Sequence, residues 1–278
     1  MKFLSLLAAL PATHSLATPP ASPDYIFANP PGPHAAGYKI PTSYESAVMG
    51  RRILALTPLG DLSTTFPVSS SNGNDGAGAS ERRPAGMEGQ PIALMDYVAA
   101  CEDSGNPTLL AIRIATTFKN AAAGSNVSLS LRWAPPYPPA KRISLLGRAW
   151  RAVFPGTAGT AADRAVRYSA ANLPRMALQG YLEAIEPREG AHGDLARCFV
   201  ERHPDARYWL PGNRIHESAW ARLVVEEVYW IGGFGDRAFI GWIPIQEWRA
   251  VTKEEWMGIK LPGEEKGWKE WGFGGEEL

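Results

Sequence analysis

Charge imbalance is the first thing this chain lacks. Its 28 Lys and Arg balance 28 Asp and Glu over 278 residues. Zero formal net charge removes any global attraction to nucleic acid or to an anionic membrane. Cysteine is scarce as well, with only Cys101 and Cys198. Two cysteines exclude a disulfide-dense scaffold and leave a single intramolecular bridge as the only option. Two readings stand open. A bridge would close a loop of nearly a hundred residues, worth about 4–5 kcal/mol in the chain-entropy model. The other reading is a pair of buried free thiols. Neither cysteine sits in a local pattern that would activate it for catalysis. Long apolar runs are missing too, so no transmembrane helix is predicted.

Catalytic motifs are equally scarce. The five histidines are scattered. His216-Glu217 has no second histidine at zinc-protease spacing, so a metal site fails on ligand count. There is no Gly-x-Ser-x-Gly elbow and no Gly-x-x-x-x-Gly-Lys phosphate loop. Gly233-Phe234-Gly235 is half a dinucleotide fingerprint with no helix after it, and reads as a β-turn. No catalytic residue and no metal ligand is assigned.

What is present begins with an N-terminal signal. Met1-Lys2 precedes the apolar run Phe3–Leu10, and Ser15-Leu16-Ala17 has small-x-small cleavage character. Residues 1–17 read as a secretory signal peptide. The Pro/Ala/Gly-rich residues 18–42 read as a poorly ordered mature N-terminus. Asn126-Val127-Ser128 is a glycosylation sequon, which fits secretion. The chain is expected outside the cell or in an endomembrane lumen, lysosome or vacuole included.

The most structured stretch runs from Leu195 to Trp248. A helical patch, Leu195–Val200, stops at Arg202-His203-Pro204, because proline ends a helix. His203 is read as packing at the helix end, with Asp205 as an alternative partner. Trp220–Ile231 is β-branched and aromatic and reads as a long strand. Glu226 and Glu227 would face opposite sides of it, with Arg222 partnering Glu226. A glycine turn, an extended return segment Phe239–Ile245 and a helical turn at Gln246-Glu247-Trp248 follow.

Phe199-Val-Glu-Arg-His-Pro204, Trp209, Trp220-Ala-Arg-Leu223, Phe234-Gly235 and Ile243-Pro-Ile-Gln-Glu-Trp248 resemble the C-terminal half of the CREG proteins. These are secreted glycoproteins on the split-barrel scaffold of the pyridoxamine 5'-phosphate oxidases. The resemblance implies a mainly β fold, a six-stranded antiparallel Greek-key split barrel with a few helices, over residues 43–251.

The rest of the chain is consistent with it. Ser43–Arg52 reads as a helix capped by Ser43. Strands are read near Asp61–Phe66, Gly89–Val98, Thr108–Ile114, Asn126–Trp133, Pro174–Ile185 and Trp220–Ile231, with Gly180 at a tight bend. Residues 68–84 read as a flexible loop, residues 141–173 as an insertion, and residues 252–278 as a Trp/Glu/Gly-rich tail whose Trp256, Trp268 and Trp271 dock on the barrel or on a partner.

The resemblance also implies where a flavin would sit. In flavin-binding relatives the link between the third and fourth strands lies near the flavin phosphate. Here Arg113, Thr116, Thr117, Lys119 and Asn120 occupy it, and hydroxyls, an ammonium and backbone N–H groups can hold a phosphate. The link is equally readable as a solvated loop, and the characterised CREG type carries no flavin. The leading reading is a non-catalytic secreted binding protein, homodimeric through a sheet face to which Trp220–Trp230 contributes. It has no cofactor and has a protein or glycan partner. The alternative is a flavin-mononucleotide-dependent oxidoreductase.

Overall fold

The computed structural model describes residues 40–68, 83–139, 168–186, 191–234 and 238–269. The signal peptide, most of the N-terminal segment, the loop 69–82, insertion residues 141–167 and the tail beyond 269, Trp271 included, lie outside the described residues.

Seven strands form one antiparallel sheet: β1 (Leu59–Thr65), β2 (Pro91–Tyr97), β3 (Thr108–Ile112), β4 (Val127–Arg132), β5 (Arg175–Ala184), β6 (Ser218–Ile231) and β7 (Ile240–Ile243). Their order is β2-β1-β4-β5-β6-β3, with β7 also on β6. The expectation was six. The seventh strand is the return segment after the glycine turn, which pairs Ile240 with Ile231 through Ile243 with Val228. Among the described residues no ladder closes the sheet into a ring, and its two edges meet at Ala99 and Thr108, which exchange two main-chain hydrogen bonds of 3.1 and 2.8 Å.

Register explains why one face is dry. Leu94, Leu62, Leu129, Leu178, Val228 and Ile243 lie side by side across six strands. All but Leu94 are at most 1 % exposed. Each fully buried aliphatic side chain in that row contributes roughly 2 kcal/mol. The next row, Met95, Asp61, Ser130, Ala177, Tyr229 and Trp242, points the other way, as a period of two requires.

Gly180 is where the pairing slips. Gln179 faces Glu227, but Gly180 faces Val225, so Glu226 is an extra residue in β6. The expectation that Glu226 and Glu227 face opposite sides is corrected by this bulge: both are exposed. Arg222 pairs instead with Glu102 and Glu183. Leu223 and Val225 point inward before the bulge, Val228 and Trp230 after it.

Helix α1 (Ser43–Leu56) covers one mouth of the barrel. Thr42, not Ser43, caps it, because Thr42 and Glu45 complete a reciprocal capping box. Arg51 is 4 % exposed, and its guanidinium donates to the carbonyls of Trp248 (3.0 Å) and Asp103 (2.5 Å) while lying over the Trp248 ring. Trp248 sits on α4 (Ile245–Ala250), which is followed by α5 (Lys253–Gly258). The tail then folds back. Trp256 and Trp268 pack on the core, and Trp268 donates its indole N–H to the Tyr137 carbonyl. No helix among the described residues is long and apolar enough to cross a membrane.

A methyl group at Gly180 would overlap the Val224 carbonyl oxygen, which belongs to backbone that cannot swing aside. Gly180→Ala is therefore expected to destabilise the fold by about 3 kcal/mol or more. Denaturant midpoints of the two proteins check this, and an unchanged midpoint contradicts the bulge.

Candidate functional site

The five residues at the expected flavin-phosphate position lie on and just before a helix. Thr116–Ala122 is not a loop but a helix, α2. Helix formation turns Thr117 and Asn120 into the protein, where both are buried. The Asn120 amide donates to the Thr64 hydroxyl at 3.1 Å. Arg113, in the turn after β3, is exposed and ion-pairs with Glu217. Thr116 and Lys119 are half-buried. Lys119 meets no carboxylate at ion-pair distance among the described residues. Asn120 and Arg113 thus each already have a partner within the chain.

A second cluster sits where the sheet edges meet. Helix α3 (Ala191–Arg202) stops at His203, and Pro204–Tyr208 continues as a 3-10 turn. Cys198 on α3 is disulfide-bonded to Cys101, just after the Ala99 bridge. The bridge spans 97 residues, a loop closure worth about 4–5 kcal/mol. Of the two cysteine readings left open by the sequence, the structure holds the pair. Beneath α3 a small second core forms from Ala99, Leu110, Phe199, Ala206 and Trp220.

His203 closes this core. It is 4 % exposed, its Nε2 lies 3.0 Å from the Val98 carbonyl, and its ring stacks on Tyr97 at 4.6 Å. A carbonyl can only accept, so Nε2 carries the proton. Burial lowers the imidazole pKa from its usual value, which keeps the ring neutral. Asp205 does not pair with His203. It accepts from the Tyr97 hydroxyl at 2.5 Å, which raises the phenol pKa and lowers that of the carboxylate.

Next to Tyr97, Asp96 faces inward opposite Gly60 at the open seam. Burial pushes its carboxyl up to about 6, opposed only by the Tyr97 N–H it accepts. Neither Asp96 nor Tyr97 stood out in the sequence. An acid inside a strand is the one signal that could have found them.

The outer sheet face carries two shallow clefts. One of about 270 Å³ is lined by Asp61, Ser130, Arg132, Arg175, Ala177 and Tyr229, among others. The other, about 280 Å³, lies two residues along, between Ser63, Thr65, Ser128, Gln179 and the two bulge carboxylates Glu226 and Glu227. Asn126 is exposed at its rim, immediately before β4. Among the described residues no three His, Cys, Asp or Glu side chains cluster as a metal site.

Trp220 and Trp230 are 3 % and 0 % exposed, and the exposed large apolar side chains include Leu94 and Met95 on β2 and Trp242 on β7.

Antiparallel pairing wound on a main apolar core, with an unclosed seam, defines the class: an antiparallel split barrel. The chain belongs to the CREG β-barrel family, whose family model matches residues 41–250. In fold it is similar to the heme binding protein from Mycobacterium smegmatis, at 19 % identity, 77 % of this chain, 62 % of that one and a TM-score of 0.47. It is also similar to a FAD-binding protein from Mesorhizobium loti (13 % identity, 64 % and 88 % covered, TM-score 0.36). A third is the heme storage protein HutZ from Vibrio cholerae (11 %, 66 % and 90 %, 0.38). The chain thus spans less than two thirds of the M. smegmatis protein. No curated protein matches it.

A raised carboxyl pKa favours the folded state when protonated. The Asp96 contribution is therefore fully present below the ordinary pKa of about 3.8 and lost as pH rises through about 6. Asp96→Asn is expected to stabilise the protein by about 2 kcal/mol at pH 7, with the gain fading toward pH 4. His203 titrates with the opposite sign. The difference between variant and wild-type unfolding free energies cancels it, and a pH-independent difference contradicts the burial of Asp96.

Proposed function

We propose that this chain is a secreted or lumenal CREG-type binding protein that acts by recognising a partner and does not turn over a flavin. The observation that carries the reading is the fate of Asn120 and Arg113. The residues that stand where a flavin phosphate would lie are committed to Thr64 and Glu217. The Cys101–Cys198 bridge is in keeping with an oxidising compartment. Asn126 is exposed, as a glycan acceptor must be.

The same reading includes a homodimer, now through β2. Among the described residues this strand is an edge with no neighbour along one side, with Met95 65 % and Leu94 45 % exposed. Such an edge is an aggregation hazard unless covered, and an identical edge related by a two-fold axis covers it symmetrically.

Two measurements test the proposal. Titration of the purified full chain with flavin mononucleotide is expected to leave flavin fluorescence unquenched and the protein colourless. A bound flavin whose affinity falls on Lys119→Ala would favour the oxidoreductase instead. Light scattering is expected to give a dimer for the wild type and a monomer for Leu94→Glu/Met95→Glu. A monomeric wild type overturns the β2 interface.

A further inference from the structure

Arg132 and Arg175 are cross-strand partners on β4 and β5. The Trp133 N–H donates to the Pro174 carbonyl, so that neighbouring pair is the hydrogen-bonded one. Arg132 and Arg175 are then a non-hydrogen-bonded pair, the kind with Cα atoms only about 4.5 Å apart and side chains closest. Like charges directly opposite each other destabilise a sheet. Neither guanidinium meets a carboxylate at ion-pair distance among the described residues. Arg222 and Arg52, by contrast, are paired with carboxylates. An uncompensated arginine pair beside a cleft is an anion site in waiting.

The surroundings narrow the ligand. One row along, Tyr229 pairs with Trp242, their rings 5.1 Å apart, with Trp242 36 % exposed. In the same row Ala177 and Ser130 leave a hollow, and Asp61 stands at its far side. The hollow therefore has two guanidinium forks at one corner, the Tyr229 ring on one flank and a lone carboxylate with a hydroxyl opposite, with Trp242 standing beyond Tyr229, outside the lining. Its volume of about 270 Å³ suits a single ring or two, not a large cofactor. Asp61 disfavours a polyanion.

We propose that this hollow binds an acidic saccharide unit. The carboxylate or sulfate of the sugar lies on the Arg132–Arg175 pair, where planar guanidinium forks match it bidentately. The C–H-rich face of the ring packs on Tyr229, whose π face is the negative side of an aromatic quadrupole, with Trp242 beyond it. Ring hydroxyls donate to Asp61 and Ser130. The site names a ligand class for the binding role proposed above and rests on that reading. The two fail separately, because the flavin titration probes Lys119 and this site does not include it.

The test uses the full chain, with calorimetry and tryptophan fluorescence. The probes are an unsulfated uronic-acid disaccharide, a sulfated heparin disaccharide, neutral cellobiose and inorganic sulfate. At least one acidic disaccharide is expected to bind and to shift the fluorescence, while cellobiose and sulfate alone bind at least tenfold more weakly. Arg132→Gln/Arg175→Gln is expected to weaken the acidic disaccharide at least tenfold. Trp242→Ala is expected to weaken it several-fold and abolish most of the fluorescence change. Circular dichroism and thermal melts confirm that these surface variants fold. Absence of binding by both acidic probes overturns the proposal. So does undiminished binding by the double arginine variant, or equal binding of cellobiose or of sulfate alone.

Discussion

Strand β6 has to keep an apolar row against the barrel core along its whole length, and one extra residue lets it do so. Side chains alternate with a period of two, so a fourteen-residue strand in perfect register would present one set inward along its whole length. The bulge opposite Gly180 changes the phase once, at Glu226. Downstream, Val228 and Trp230 fill the barrel. Upstream, Ala221, Leu223 and Val225 point inward, and Trp220 turns to the second core beneath α3. Leu109 and Leu110 on β3 divide between the two cores in the same way. The disulfide and His203 then fasten α3 over the point where the sheet edges touch.

An open seam leaves backbone groups that something else must satisfy. Part of that work falls to Arg51, a buried cation without a buried carboxylate. Its two carbonyl acceptors come from the chain after β2 and from α4, so one side chain ties helix, loop and C-terminal segment together. Gly105, at φ +82°, carries the loop past it, and any side chain there would strike the Arg51 and Trp248 nitrogens. Trp248 returns a bond to the Gly105 carbonyl at 3.2 Å. The seam also accounts for Asp96. An inward-facing acid is tolerable at a barrel mouth that remains partly open, and it keeps an elevated pKa there.

The two faces of the sheet divide structure from recognition. Inward rows are mainly apolar, Asp96 and Thr64 apart. Outward rows hold small residues in the middle, a bare arginine pair at one end and the bulge carboxylates at the other. At the position that resemblance assigned to a flavin phosphate, α2 turns Asn120 toward Thr64.

Element types were legible because they follow local rules. Proline after Arg202-His203 stops α3, alternation marks Pro174–Ile185 as a strand, and β-branched enrichment marks Trp220–Ile231. Those same residues, with Trp248, carried the family. Which side chains share a face was not legible. It depends on register, and register was altered by a bulge whose only sequence trace is one glycine. The same holds for the partnership of Cys101 and Cys198 and the juxtaposition of Arg132 with Arg175. Each requires residues distant along the chain to meet, and local chemistry dictates conformation, while only the folded sheet decides what stands opposite what.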